Sequence, residues 1–142
     1  MIRLCVALLG WTAYAHVVSM SSGDLTIEGS RARYELRMPL YEIVHVPAPE
    51  RTLLEHIRFS SGGREARQLA SGCQADPARQ LYVCTADYQF AGAVDRLDID
   101  CTFAAITVPT HVHLLRADMG DKHDQGLFDL SFSGEIVRLW CR

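Results

Sequence analysis

Residues 30–38 read Ser30-Arg31-Ala32-Arg33-Tyr34-Glu35-Leu36-Arg37-Met38, and this stretch decides the fold. Ala32, Tyr34, Leu36 and Met38 fall at every second position, with Arg31, Arg33, Glu35 and Arg37 between them. Side chains two apart leave the same side of an extended chain, so the alternation describes a strand with one face in a core and the other in water. Working back, Leu25-Thr26-Ile27-Glu28 is separated from it by Gly29-Ser30 and reads as its hairpin partner. Working forward, Pro39, Pro47 and Pro49 interrupt regular structure, and Pro49-Glu50 opens a short helix ending near His56, with Leu53, Leu54 and Ile57 on one face.

The rest of the chain repeats the strand signal. Ile57-Arg58-Phe59, a turn at Gly62-Gly63, and Glu65 to Leu69 form a second hairpin. Gln80 to Phe90 places Tyr82, Cys84, Ala86, Tyr88 and Phe90 on one side. Arg96 to Phe103 does the same with Leu97, Ile99, Cys101 and Phe103, after a turn at Ala91-Gly92-Ala93. His111 to Arg116 and Gly126 to Trp140 supply the last strands, separated by a polar loop from Asp118 to Gln125. Short strands with turns between them predict a mainly β chain, an immunoglobulin-like antiparallel β-sandwich with one short helix.

The N-terminus carries an address. Arg3 gives a positive start, Leu4 to Trp11 an apolar run, and Ala13-Tyr14-Ala15 a small-x-small cleavage site, which together predict a signal peptide over residues 1–15. Cleavage leaves His16 as the first residue of a single β-sandwich domain over 16–142. The apolar run falls short of the ~20 residues of a membrane span, and no later segment approaches that length. The expectation is an exported protein, periplasmic or secreted, with no transmembrane helix.

Charge and cysteines agree with that compartment. The 142 residues carry a net charge of −3, and losing Arg3 with the signal leaves 13 basic against 17 acidic residues. Lys122 is the lone lysine and no basic run occurs, which argues against a nucleic-acid partner. Cys5 leaves with the signal, and Cys73, Cys84, Cys101 and Cys141 remain, an even number for an oxidising space. Cys73 and Cys84 flank the turn residues Asp76-Pro77, so a hairpin sets them opposite each other as a disulfide. A bridge from Cys84 to Cys101 is the rival pairing.

The charged strand ending in Met38-Pro39-Leu40, the helix Leu53-Leu54-Glu55-His56 feeding Ile57-Arg58-Phe59, then Leu97-Asp98-Ile99-Asp100-Cys101 and His111-Val112-His113-Leu114 form a familiar order. It resembles the extracytoplasmic N-terminal domain of HupE/UreJ-type membrane proteins over most of residues 16–140. Such proteins usually continue into membrane helices discussed as nickel or cobalt carriers. This sequence ends at Arg142, so the resemblance implies a stand-alone module or a piece of a longer chain. The transport chemistry belongs to the membrane part and does not carry over.

Little in the chain reads as catalytic. Asp95, Asp98 and Asp100 are the densest acidic group, but Asp98 and Asp100 alternate with core residues and should point into solvent. No Gly-x-Ser-x-Gly elbow accompanies the serines, and Gly62-Gly63 lacks the rest of a phosphate loop. Histidine carries the one sharp possibility. His111 and His113 are two apart, so their rings leave one face, expected to be exposed, and both reach one metal. His16 as a free N-terminus adds an amine and an imidazole, a donor set suited to copper or nickel. His123, in the acidic loop, is a weaker candidate. Two functions follow. One is a non-enzymatic, cofactor-free module binding an unknown protein partner or a membrane-embedded one. The alternative is a periplasmic copper or nickel binder using His16, His111 and His113.

Overall fold

Two sheets face each other in the computed structural model, which describes residues 19–129 and the strand backbone at 136–139. The strands are β1 (Met20–Glu28), β2 (Arg31–Pro39), β3 (Ile57–Ser61), β4 (Arg64–Glu65), β5 (Arg67–Asp76), β6 (Leu81–Gln89), β7 (Leu97–Cys101), β8 (Val112–Met119), β9 (Lys122–Phe128) and β10 (Ile136–Leu139). One sheet runs β5-β6-β2-β1-β8-β9 and the other β10-β7-β3-β4. The mainly β sandwich implied by the alternation at residues 30–38 is therefore present. One pairing departs from the antiparallel expectation: β1 and β8 run parallel, with Ser21 level with His113 and Leu25 level with Ala117.

The alternating strand sits where its pattern requires. β2 lies inside the larger sheet between β1 and β6, and Ala32, Tyr34, Leu36 and Met38 are all buried. Tyr34 of β2 and Tyr88 of β6 each meet Phe59 of the facing sheet edge-on at 5.2 Å. Edge-to-face aromatic pairs of this kind fix how two sheets register against each other. Leu25, Ile27, Leu97, Ile99, Leu115 and Phe103 complete the centre of the core.

Among the described residues two α-helices, not one, connect the strands. The expected helix is α2 (Pro49–Glu55), with Pro49 in its first turn, His56 at its end, and Leu53 and Leu54 buried. A further short turn, α1 (Leu40–Ile43), follows β2 directly and buries Glu42. The Gly62-Gly63 turn joins β3 to β4, both glycines having positive φ (58° and 74°), a conformation side chains disfavour.

Four readings of connection change. The hairpin expected to run to Leu69 pairs only through Arg64–Glu65; the chain then crosses at Ala66 into the other sheet as β5. β6 and β7 lie in different sheets, so the segment holding Ala91-Gly92-Ala93 is a crossover rather than a hairpin turn. The polar stretch from Asp118 to Gln125 is not a loop. It is the end of β8, a turn at Gly120-Asp121 and the start of β9, and its polarity is that of an edge strand. The long strand read from Gly126 to Trp140 is two strands in two sheets.

Candidate functional site

β1 and β8 bring four polar side chains inside the sandwich. Ser19 and Ser21 alternate in phase with Leu25 and Ile27, and His111 and His113 in phase with Leu115 and Ala117, so all eight face inward and are buried. The parallel register aligns the two polar doublets. Ser19 Oγ lies 2.5 Å from His111 Nδ1, and Ser21 Oγ lies 2.7 Å from both His111 Nε2 and His113 Nδ1. Tyr34 Oη closes the chain 3.1 Å from His113 Nε2. Phe103 stands edge-on to both imidazoles, its ring centre 4.8 Å from that of His113.

Tyr34 reaches His113 from β2 only by passing over β1. It does so at Gly23, where an added Cβ would lie 2.5 Å from Tyr34 Cε2 and 2.6 Å from its hydroxyl. No real Cβ contact is that short, so the glycine is a requirement of the network.

A proton count shows how the cluster is satisfied. Ser19, His111, Ser21, His113 and Tyr34 in neutral form hold five movable protons for four hydrogen bonds. Each bond takes one proton, and the spare one sits on Ser19, Ser21 or Tyr34. All four ring nitrogens are thus paired without any charge, the condition under which buried polar groups are tolerated. Burial pushes His113 down to about 3, with His111 beside it adding to the shift. Burial also lowers His111, against the opposing pull of the buried Glu42 carboxylate. The Tyr34 hydroxyl is raised well above its usual range by burial. A chain of alternating hydroxyls and imidazoles is able to pass a proton, but this one ends blind. Tyr34 is fully buried against Phe59.

The candidate residues fare differently. His111 and His113 do come together, but inside the core and not on an exposed face. The physical reason is their phase with Leu115 and Ala117, visible in the sequence and outweighed there by their polarity. His16 lies outside the described residues. His123 is exposed, on β9, paired with Asp118 at 2.6 Å and level with it, five residues along β8 from His113. Among the described residues no group of three or more His, Cys, Asp or Glu is arranged to hold a metal.

Cys73 and Cys84 are joined, as the hairpin geometry predicts, level with each other across β5 and β6. Cys101 is a free, buried thiol, pushed up to about 12 by burial. The acidic group reads differently too: Asp98 is buried, only 6% exposed, because β7 runs between β3 and β10 in the interior of its sheet. Arg96 stands 3.8 Å from it. Asp100 pairs with Arg58 across the β3–β7 ladder.

A cavity of about 640 Å³ opens on the larger sheet, lined by Thr26, Arg31, Arg33, Leu69 and Asp87 among others. None of the five network residues lines it, and Arg33 and Asp87 neutralise each other there at 3.1 Å. No family model matches the chain, and no curated protein matches it.

Proposed function

We propose that the chain is an exported, non-enzymatic β-sandwich module that works by holding a protein partner, a membrane-embedded one as the HupE/UreJ resemblance implies. The observation that carries this reading is an apolar band on the outer face of the larger sheet. Met20, Leu114 and Leu127 occupy neighbouring outward positions on β1, β8 and β9, with Val112 level with Met20 between them. Met20 and Leu127 are each about half exposed, at 50% and 51%. Outward positions of a solvated sheet are normally polar, and a contiguous exposed apolar patch is the mark of an interaction surface. Tyr41 and Val44, exposed on and just after α1, extend apolar surface at the same end of the sheet.

Two further features support it. The Cys73–Cys84 disulfide suits an oxidising compartment. The imidazoles that offered metal chemistry are taken up by internal hydroxyls.

A photo-crosslinking residue at Leu127, in the chain expressed in its own cells, tests the reading. The expected product is an adduct with one membrane protein, suppressed by excess purified chain and lost in a Met20→Asp variant that folds normally. Recovery of the chain still carrying residues 1–15 in the cytoplasm, or an adduct indifferent to Met20→Asp, overturns it.

A further inference from the structure

Among the described residues the larger sheet ends on β5 at one side and β9 at the other. β9 opens with Lys122, His123 and Asp124, and charge along an edge discourages another chain from pairing with it. β5 carries charge only at its two ends, Arg67 and Asp76. From Ala70 to Ala75 it holds neither charge nor proline, and its side chains are exposed almost throughout.

The disulfide tells which backbone groups face the open edge. Cys73 and Cys84 have Cα atoms 4.0 Å apart, the spacing of the narrow, non-hydrogen-bonded pairs of an antiparallel ladder. The N–H and C=O of Cys73 therefore point away from β6. Those of Ser71 and Ala75, two residues to either side, do the same. Gly72 and Gln74 direct theirs toward Thr85 and Val83.

The strand is also complementary to itself. The register slips at Leu69, so Arg67 stands level with Gln89 and Asp76 with Leu81, while Gly72, level with Thr85, lies midway between them. A second β5 running antiparallel about a two-fold axis at Gly72 places Arg67 of each copy opposite Asp76 of the other. It also sets Ser71 opposite Cys73, both with outward donors and acceptors. Among the described residues Arg67 has no ion-pair partner, while Asp76 is joined to Arg79. Nothing lies within 4 Å of a Cβ built on Gly72, so the fold of one copy does not demand this glycine. Glycine inside a strand weakens it, and often marks the close approach of another backbone.

We propose that β5 is the docking surface for a second copy of this chain, the two strands pairing antiparallel about Gly72 to join both larger sheets across a two-fold dimer. Closed two-fold pairing satisfies both edges at once and leaves no template for further growth. The apolar band on β1, β8 and β9 lies toward the opposite edge and stays open in the dimer.

Sedimentation equilibrium of the purified, oxidised chain reads the outcome directly. The wild type should show a reversible monomer–dimer equilibrium. Ser71→Pro removes a donor that faces outward and spares the β6 ladder, a placement edge strands accept. It should raise the dimer dissociation constant by about thirty-fold or more, since two symmetry-related bonds are lost together. Gly72→Cys gives an independent reading. Its Cα should meet its symmetry mate at the distance of a narrow pair, so mild oxidation should yield a dimer whose peptide map shows residue 72 joined to residue 72. The same substitution at Gln125 on β9 should give none. A chain that stays monomeric at millimolar concentration overturns the proposal, as does a dimer unaffected by Ser71→Pro and uncrosslinked through position 72. Leu127→Asp should leave the dimer intact, so this proposal and the partner-binding reading fail separately.

Discussion

Acid should loosen this fold through its two buried imidazoles, and the effect should be visible well above the range where carboxylates titrate. An unfolded histidine titrates near pH 6.5, whereas burial holds His113 down to about 3 in the native chain. The native state favours the neutral ring, so the unfolded chain binds more protons everywhere between those values. Stability is then complete above about pH 6.5, falls as the pH drops, and stops falling from this source near about pH 3. By linkage, His113 alone should remove about 2 kcal/mol at pH 5 and about 3 kcal/mol at pH 4. His111 is also lowered by burial and adds a loss of the same sign, while Glu42 moderates it. Asp24 is lowered as well: the cost of its burial is outweighed by hydrogen bonds and charges from Arg37 and Arg116. Its loss comes only below about pH 4, outside the window that isolates histidine. Urea unfolding followed by circular dichroism at pH 7, 6 and 5 measures the slope, and His113→Gln, which cannot gain a proton, supplies the control. The variant should start less stable and lose less on acidification. A wild-type stability that is flat from pH 7 to 5, or a variant with the same slope, refutes the reasoning.

Gly23→Ala should destabilise the chain by about 2–4 kcal/mol, because Tyr34 must move and leave His113 Nε2 unpaired in the core. In a Tyr34→Leu background thermal melts should show that penalty shrinking. Reduction of Cys73–Cys84, which closes a loop with a sequence separation of 11, should cost about 3 kcal/mol in the chain-entropy model. Hydrogen exchange should place the loss in β5, with the amides of Tyr34 and Leu25 still protected. Cys101, its thiol buried and pushed up to about 12, should resist iodoacetamide in the native chain and react once denaturant exposes it. Rapid native labelling would show that the core opens far more readily than its packing implies.

Period-two patterning carried most of the fold into view. β2, β6 and β7 bury the very faces their alternation marks, because a one-residue slip would reverse every side chain. The Cys73–Cys84 bridge was legible for a related reason: a hairpin turn at Asp76-Pro77 is local, and local geometry survives in the sequence. Which strands share a sheet was not. β6 and β7 look like a hairpin in sequence, yet the choice between a turn and a crossover depends on partners far away in the chain. The network was half legible. His111 and His113 announce themselves, but their polarity suggests an exposed face, and only their phase with Leu115 and Ala117 points inward. Ser19, Ser21 and Gly23 carry no chemical signature of their own, and the parallel pairing that gives them meaning joins residues about ninety positions apart.

That pairing also explains what the network does for the fold. β1 and β8 both alternate, so a slip of two residues between them keeps every apolar side chain facing inward, and hydrophobic burial cannot tell the registers apart. Polar satisfaction can. In the observed register Ser21 stands level with His113 and serves both rings. Sliding β1 two residues one way sets Ser21 against Leu115 and brings Ser19 into the place of Ser21, so His111 Nδ1 loses its serine. Sliding it the other way sets Gly23 against His113, where no side chain remains to bond Nδ1. Either slip strands ring nitrogens in a dry interior, at about 1–3 kcal/mol for each unpaired group, more than a few misplaced methyl contacts would decide. Tyr34, reaching over Gly23 from β2, extends the same test to a third strand. A cluster read in isolation as a candidate for metal binding thus acts as the key that fixes a parallel pair, and the surfaces proposed for contact with other molecules lie elsewhere, on the outer face and on the edge of β5.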